Sequence, residues 1–112
     1  MKSYNLEDRT FEFAKDCRLL ITKLPKTISN IEDGKQLVRS SGSVGANYIE
    51  ANENLGDKDF IFRFKIARKE AKESLYWLSL LKALNPNLEA IDSLIQEANE
   101  LRKILSSILN KL

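Results

Sequence analysis

From Ile91 to Leu112 the apolar residues Ile91, Leu94, Ala98, Leu101, Leu105, Ile108 and Leu112 alternate at spacings of three and four without a fault. Only an α-helix brings such positions onto one line, and a seam this long must be covered by other helices. The spacing predicts a helix over about Leu88 to Leu112. Ile95, Ile104 and Leu109 fall outside the seam.

Three earlier stretches carry the same period. The first opens at Asn5, a good N-cap, with Glu7 and Asp8 in the favourable first turn. Its apolar stripe is Leu6, Phe13, Ala14, Cys17, Leu20, Ile21 and Leu24, and Pro25 ends it. Residues 26–34 read as a connection, with Asn30, Asp33 and Gly34 as turn residues. The second helix is expected from about Lys35 to Asn54, with Gly56 as its stop and Asp57 as the next N-cap. The third runs from about Lys58 to Leu84 on Phe60, Phe64, Ala67, Ala71, Leu75, Leu78 and Leu81. Asn85-Pro86-Asn87 breaks it, and either Asn can cap the last helix.

Short connections between long helices favour antiparallel neighbours. The expected fold is therefore an all-α, antiparallel up-and-down four-helix bundle, a single domain over residues 1–112. Leu84 widens the third helix's apolar face with Trp77 and Leu80, and these last two, with the extra apolar residues of the last helix, exceed one core-facing stripe. They predict a subunit interface, and broad stripes on short helices are the alternative.

Arg39–Ala51, reading RSSGSVGANYIEA, places Gly42 and Gly45 among serines where a helix is required. Glycine costs about 1 kcal/mol in a helix interior relative to alanine, so close approach of another backbone is the expected reason. A phosphate-binding loop would need a preceding strand and a Lys-Ser/Thr pair, and neither is present. Leu37, Val38, Ser41, Val44, Gly45 and Tyr48 form an inward stripe. Arg39, Ser43, Asn47 and Glu50 form a polar one, readable as a buried network or as an exposed contact patch.

The chain has no histidine, which removes the commonest general base and metal ligand, and with them Ser/His and Cys/His nucleophile pairs. Cys17 is the lone cysteine and lies in an apolar stripe, so it reads as core and excludes an internal disulfide. No apolar run follows Met-Lys-Ser, and no stretch approaches the roughly 18 apolar residues that span a bilayer. The expected location is cytoplasmic, away from any membrane.

With 18 basic and 16 acidic residues, electrostatic arguments must rest on local clusters. Lys65, Arg68, Lys69 and Lys72 project from one side of the third helix, a basic surface suited to tracking phosphates. Phe60 and Phe64 belong to the core stripe, leaving Phe62 as the exposed aromatic beside it. A merely solvated face is the alternative. Glu50-x-x-Glu53 and Glu70-x-x-Glu73 would suit Mg²⁺ only if they faced one another, as in all-α nucleotide pyrophosphatases. Lys69 and Lys72 interleave the second pair, and no metal or cofactor is expected.

The chain resembles the four-helix-bundle family that includes the protein encoded within bacterial 23S ribosomal RNA intervening sequences. Gln36-Leu37-Val38-Arg39, Ser43-Val44-x-x-Asn47-x-x-Glu50-Ala51 and Asp59-Phe60 carry the likeness. So do Ile66-Ala67-Arg68-Lys69-Glu70-Ala71 and Tyr76-Trp77-Leu78-x-Leu80-Leu81. It runs from Leu6 to Leu109; Ser40-Ser41-Gly42 and Tyr48 depart from the usual pattern. The resemblance implies a bundle assembling into a ring, a homopentamer, with no established activity. The family is similar to the accessory protein of diversity-generating retroelements, a pentameric bundle that binds reverse transcriptase and RNA.

The functional expectation is a non-catalytic homo-oligomer that binds RNA or a ribonucleoprotein through Lys65, Arg68, Lys69 and Lys72, with Arg39 as an addition. The alternatives are a purely structural or protein-interaction oligomer and, last, the Mg²⁺-dependent pyrophosphatase.

Overall fold

Asn5 begins the first helix as its side chain implies: its Oδ1 accepts a hydrogen bond from the backbone N–H of Asp8 at 2.8 Å. The computed structural model describes residues 5–112, and among them it holds four helices and no strand. They are α1 (Leu6–Thr22), α2 (Ile28–Asn52), α3 (Asp57–Leu84) and α4 (Ala90–Asn110). Each consecutive pair packs together, and α1 also meets α4, more sparsely than the other neighbours meet. The result is wider than it is thick, with principal extents of 44 × 33 × 19 Å.

One buried cluster joins all four helices. Phe13, Cys17 and Leu20 enter it from α1, Leu37, Val44 and Ala51 from α2. Phe64, Ala67, Ala71, Leu78 and Leu81 enter from α3, and Ile91, Leu94, Ala98, Leu101 and Leu105 from α4. These are the positions that the three-and-four spacing selects. The seam thins only at the C-terminal end, where Ile108 is partly buried and Leu112 exposed.

Helix α2 begins earlier than its sequence suggests. Thr27 is the N-cap, its Oγ1 accepting from the Asn30 backbone N–H at 3.1 Å, so Asn30, Asp33 and Gly34 are helical rather than turn residues. Gly34 is buried beside Ile21 on α1, where a Cβ would make only ordinary contact, 3.5 Å from the Ile21 side chain. Asn30 is nearly fully buried and pairs with Asn85: each amide nitrogen donates to the other's oxygen, at 3.0 and 2.9 Å. Each also donates to a carbonyl, Asn30 to Pro25 and Asn85 to Leu81. Asn85 is thus committed to α3, and α4 starts after Glu89 with no side-chain cap. Lys82 closes this turn by donating to the Pro86 carbonyl and pairing with Asp92.

Gly56, with φ of 129°, supplies the left-handed turn between α2 and α3, and it rather than Asp57 is the N-cap position. Asn54 Oδ1 accepts from the Gly56 N–H and Asp59 Oδ2 from the Leu55 N–H, so the turn's donors are satisfied by its own side chains.

The surplus apolar residues of α3 and α4 are less available than expected. Trp77, Ile95 and Leu109 pack partly buried against the core, and Leu80 and Ile104 are also partly covered. Large exposed apolar side chains lie on α1 and α2, at Phe11, Leu19, Ile28, Ile31 and Ile49, and on α3 at Phe62, Tyr76 and Leu84.

Candidate nucleic-acid interface

Burial of Phe64, Ala67, Ala71 and Leu78 fixes the rotation of α3, and that rotation turns Lys65, Lys69 and Lys72 outward, with Arg68 partly covered beside them. The packing of α4 against α3 then brings Arg102 and Ser106 alongside. Lys65, Arg68, Lys69, Lys72, Arg102 and Ser106 together line a groove of about 410 Å³. No spacing rule within either helix reveals the contribution of α4, because it depends on how the two helices pair.

No cation of the groove forms an ion pair. Among the described residues the ion pairs lie elsewhere: Arg9–Glu97, Lys15–Glu12, Lys35–Glu32, Arg63–Asp59 and Lys82–Asp92. Arg102 is held by a neutral partner, donating from Nε and Nη2 to Asn99 Oδ1 at 3.3 and 2.8 Å. An amide orients a guanidinium without cancelling its charge. Of the carboxylates on α3, Glu73 accepts from Trp77 Nε1 at 3.3 Å. The Glu70 carboxyl is pushed up from its ordinary value by burial first and by Glu73 second, with Lys69 pulling the other way.

Arg39 is not among the residues lining this groove; it is exposed on α2. The polar stripe it heads is a surface feature and not a buried network. Ser43 Oγ donates to the Arg39 carbonyl and Asn47 Nδ2 to the Ser43 carbonyl, each at 2.9 Å. Glu50 is exposed, and no ion pair joins it to Arg39 among the described residues.

The buried polar contacts of this segment come from its neighbours instead. Ser40 Oγ lies 2.9 Å from Ser74 Oγ across the α2–α3 seam, with both residues buried. Gly45 serves close packing, since a Cβ there would lie 2.7 Å from Thr10 Oγ1 on α1, whereas one on Gly42 would meet only the flexible Arg18 guanidinium, at 3.2 Å. Cys17, on α1, is fully buried. Glu50, Glu53, Glu70 and Glu73 do not converge, since no group of three or more acidic or cysteine side chains able to hold a metal occurs among the described residues.

A second groove, of about 790 Å³, lies between α1 and α2. Phe11, Ala14, Gly42, Gly45 and Ile49 give it an apolar lining, with Arg18 at its edge. Phe11 is 67% exposed. Its legible sign is a large apolar residue standing off the α1 stripe. No described helix is long and apolar enough to cross a membrane.

The model of the 23S rRNA-intervening sequence protein family matches residues 2–107. A crystal structure of a protein with unknown function, from the S23 ribosomal protein family of Bacteroides thetaiotaomicron, superposes with a TM-score of 0.80 at 33% sequence identity. The match covers 94% of this chain and 98% of that one. No curated protein matches the chain. With the family's pattern running through all four helices, the chain belongs to the 23S rRNA-intervening sequence protein family.

Proposed function

We propose that this chain is a non-catalytic, self-associating four-helix module that binds RNA, free or within a ribonucleoprotein, in the cytoplasm. The observation that carries the reading is the α3–α4 groove, in which Lys65, Arg68, Lys69, Lys72 and Arg102 converge without forming an ion pair. Like charges gathered on one face repel, and a polyanion relieves that repulsion while releasing its own counterions.

The short connections at residues 23–27, 53–56 and 85–89 support an antiparallel, up-and-down connectivity. Self-association is supported by the apolar α1–α2 groove, and the family resemblance makes a homopentameric ring the assembly of choice.

Light scattering on the purified protein tests the assembly, and titration of RNA across a salt series tests the binding. Affinity should fall steeply with salt. Replacing Lys65, Arg68, Lys69 and Lys72 by Glu should abolish binding, and their replacement by Gln should lower the log–log salt slope by about 3. An assembly that binds no RNA at low salt is instead a structural oligomer.

A further inference from the structure

Five exposed side chains run along one outer line of α3: Phe62, Lys65, Lys69, Lys72 and Tyr76, spaced alternately by three and four. On a helix these positions form one narrow strip, rising about 21 Å from the first ring to the last. Phe62 is 58% exposed and Tyr76 57% exposed, so a large aromatic ring stands open to water at each end of the lysine run. Both rings have a neighbour on α3. The Arg63 guanidinium carbon lies 5.9 Å from the Phe62 ring centre, and the Trp77 ring lies 5.0 Å from Tyr76, edge to face.

We infer that this strip binds single-stranded nucleic acid, with unpaired bases stacked on Phe62 and Tyr76 and the intervening phosphates on Lys65, Lys69 and Lys72. The inference rests on the RNA-binding reading above and adds the form of the ligand. Every base offers a π-face to an aromatic ring, whereas phosphate contacts alone do not distinguish one strand from two. A duplex keeps its base faces inside its own stack and has no use for either ring. Its backbone is also convex, so it meets the lysine tips but not Arg102 and Ser106, which lie partly buried along the far wall of the groove. A single strand can settle into that groove. About six nucleotides at a stacked rise of about 3.4 Å span the strip.

The test is fluorescence anisotropy of the intact protein with an unstructured oligouridine of about 16 nucleotides and with duplex RNA of the same length. The single strand should bind at least about 5-fold tighter. Phe62→Ala and Tyr76→Ala should each weaken the oligouridine by about 5- to 150-fold, leaving duplex affinity and the salt slope unchanged. Phe62→Tyr and Tyr76→Phe keep a ring and should restore binding, which separates stacking from any effect on the helix. Lys65→Glu, Lys69→Glu and Lys72→Glu should weaken both probes. Alanine variants that bind oligouridine like the wild type, or a duplex bound as tightly as the strand, overturn the stacking inference and leave RNA binding standing. A wild-type protein that binds neither probe overturns the RNA-binding reading itself.

Discussion

The Arg9 guanidinium grips the Glu97 carboxylate by two bonds, Nε to Oε2 at 2.8 Å and Nη2 to Oε1 at 2.9 Å. This fork joins α1 to α4, where the bundle's helices meet most sparsely. The Glu97 hydrogen bond raises the Arg9 pKa from its ordinary value, against a smaller opposing effect of burial. With side chains 32% and 29% exposed, solvent screens the pair. Glu97→Ala should therefore cost only about 1 kcal/mol. A double-mutant cycle with Arg9→Ala should give a coupling of about 0.5–1 kcal/mol, and a coupling of zero would show that the fork contributes nothing.

Gly42 and Gly45, both facing α1, should respond oppositely to alanine. At Gly45 the new methyl would sit 2.7 Å from Thr10 Oγ1 and 3.1 Å from Thr10 Cβ. The Thr10 hydroxyl is itself committed to the Leu6 carbonyl at 2.7 Å, so Gly45→Ala should destabilise by about 1–3 kcal/mol. At Gly42 the obstacle is the mobile end of Arg18. Gly42→Ala should be neutral or stabilise by up to about 1 kcal/mol through helix propensity. Urea midpoints for the two variants decide it; an equal loss at both sites would refute the distinction.

Burial pushes the Cys17 thiol from 9.0 up to about 12, the Ser41 hydrogen bond opposing the shift. Between those values the unfolded chain ionises this thiol and the folded chain does not. The unfolded state then binds fewer protons, so stability falls as pH rises above about 9, by at most about 1.4 kcal/mol per unit. Below that range the thiol adds no slope. Stability curves at about pH 8 and about pH 10 should differ by about 1 kcal/mol less in Cys17→Ala than in the wild type. The folded protein should also resist thiol-alkylating reagents near neutral pH, and rapid labelling would contradict the buried placement.

The reciprocal Asn30–Asn85 pair ties the start of α2 to the end of α3. Asn30→Ala removes both bonds to the half-buried Asn85 amide, whose nitrogen keeps the Leu81 carbonyl, and should cost about 1 kcal/mol. Asn30→Asp keeps the shape but loses the donor to Asn85 Oδ1, so it should be nearly as costly at neutral pH. Denaturant unfolding measures both, and a loss near zero for either would mean that the pair is dispensable.

How far sequence carries depends on what a residue's partner is. The apolar stripes of α1, α3 and α4 are governed by one helix's own period, and Phe13, Phe64, Leu78, Ile91 and Leu101 are buried where that period puts them. The basic line Lys65, Arg68, Lys69 and Lys72 follows from the same period as the complement of the α3 stripe. Asn30 resembles a turn residue only while Asn85 is out of view. The burial of the Gly/Ser segment is likewise decided by inter-helix pairs, Ser40 with Ser74 and Gly45 with Thr10, whose members lie on different helices. Arg102 joins the basic groove for the same reason, and no pattern along α4 announces it.

The apolar groove is built from α1 and α2 alone and the basic groove from α3 and α4 alone, with no lining residue in common. Substitutions that retune one surface therefore leave the other's chemistry untouched. Over evolutionary time, a lineage of this fold can remodel either face while conserving the other.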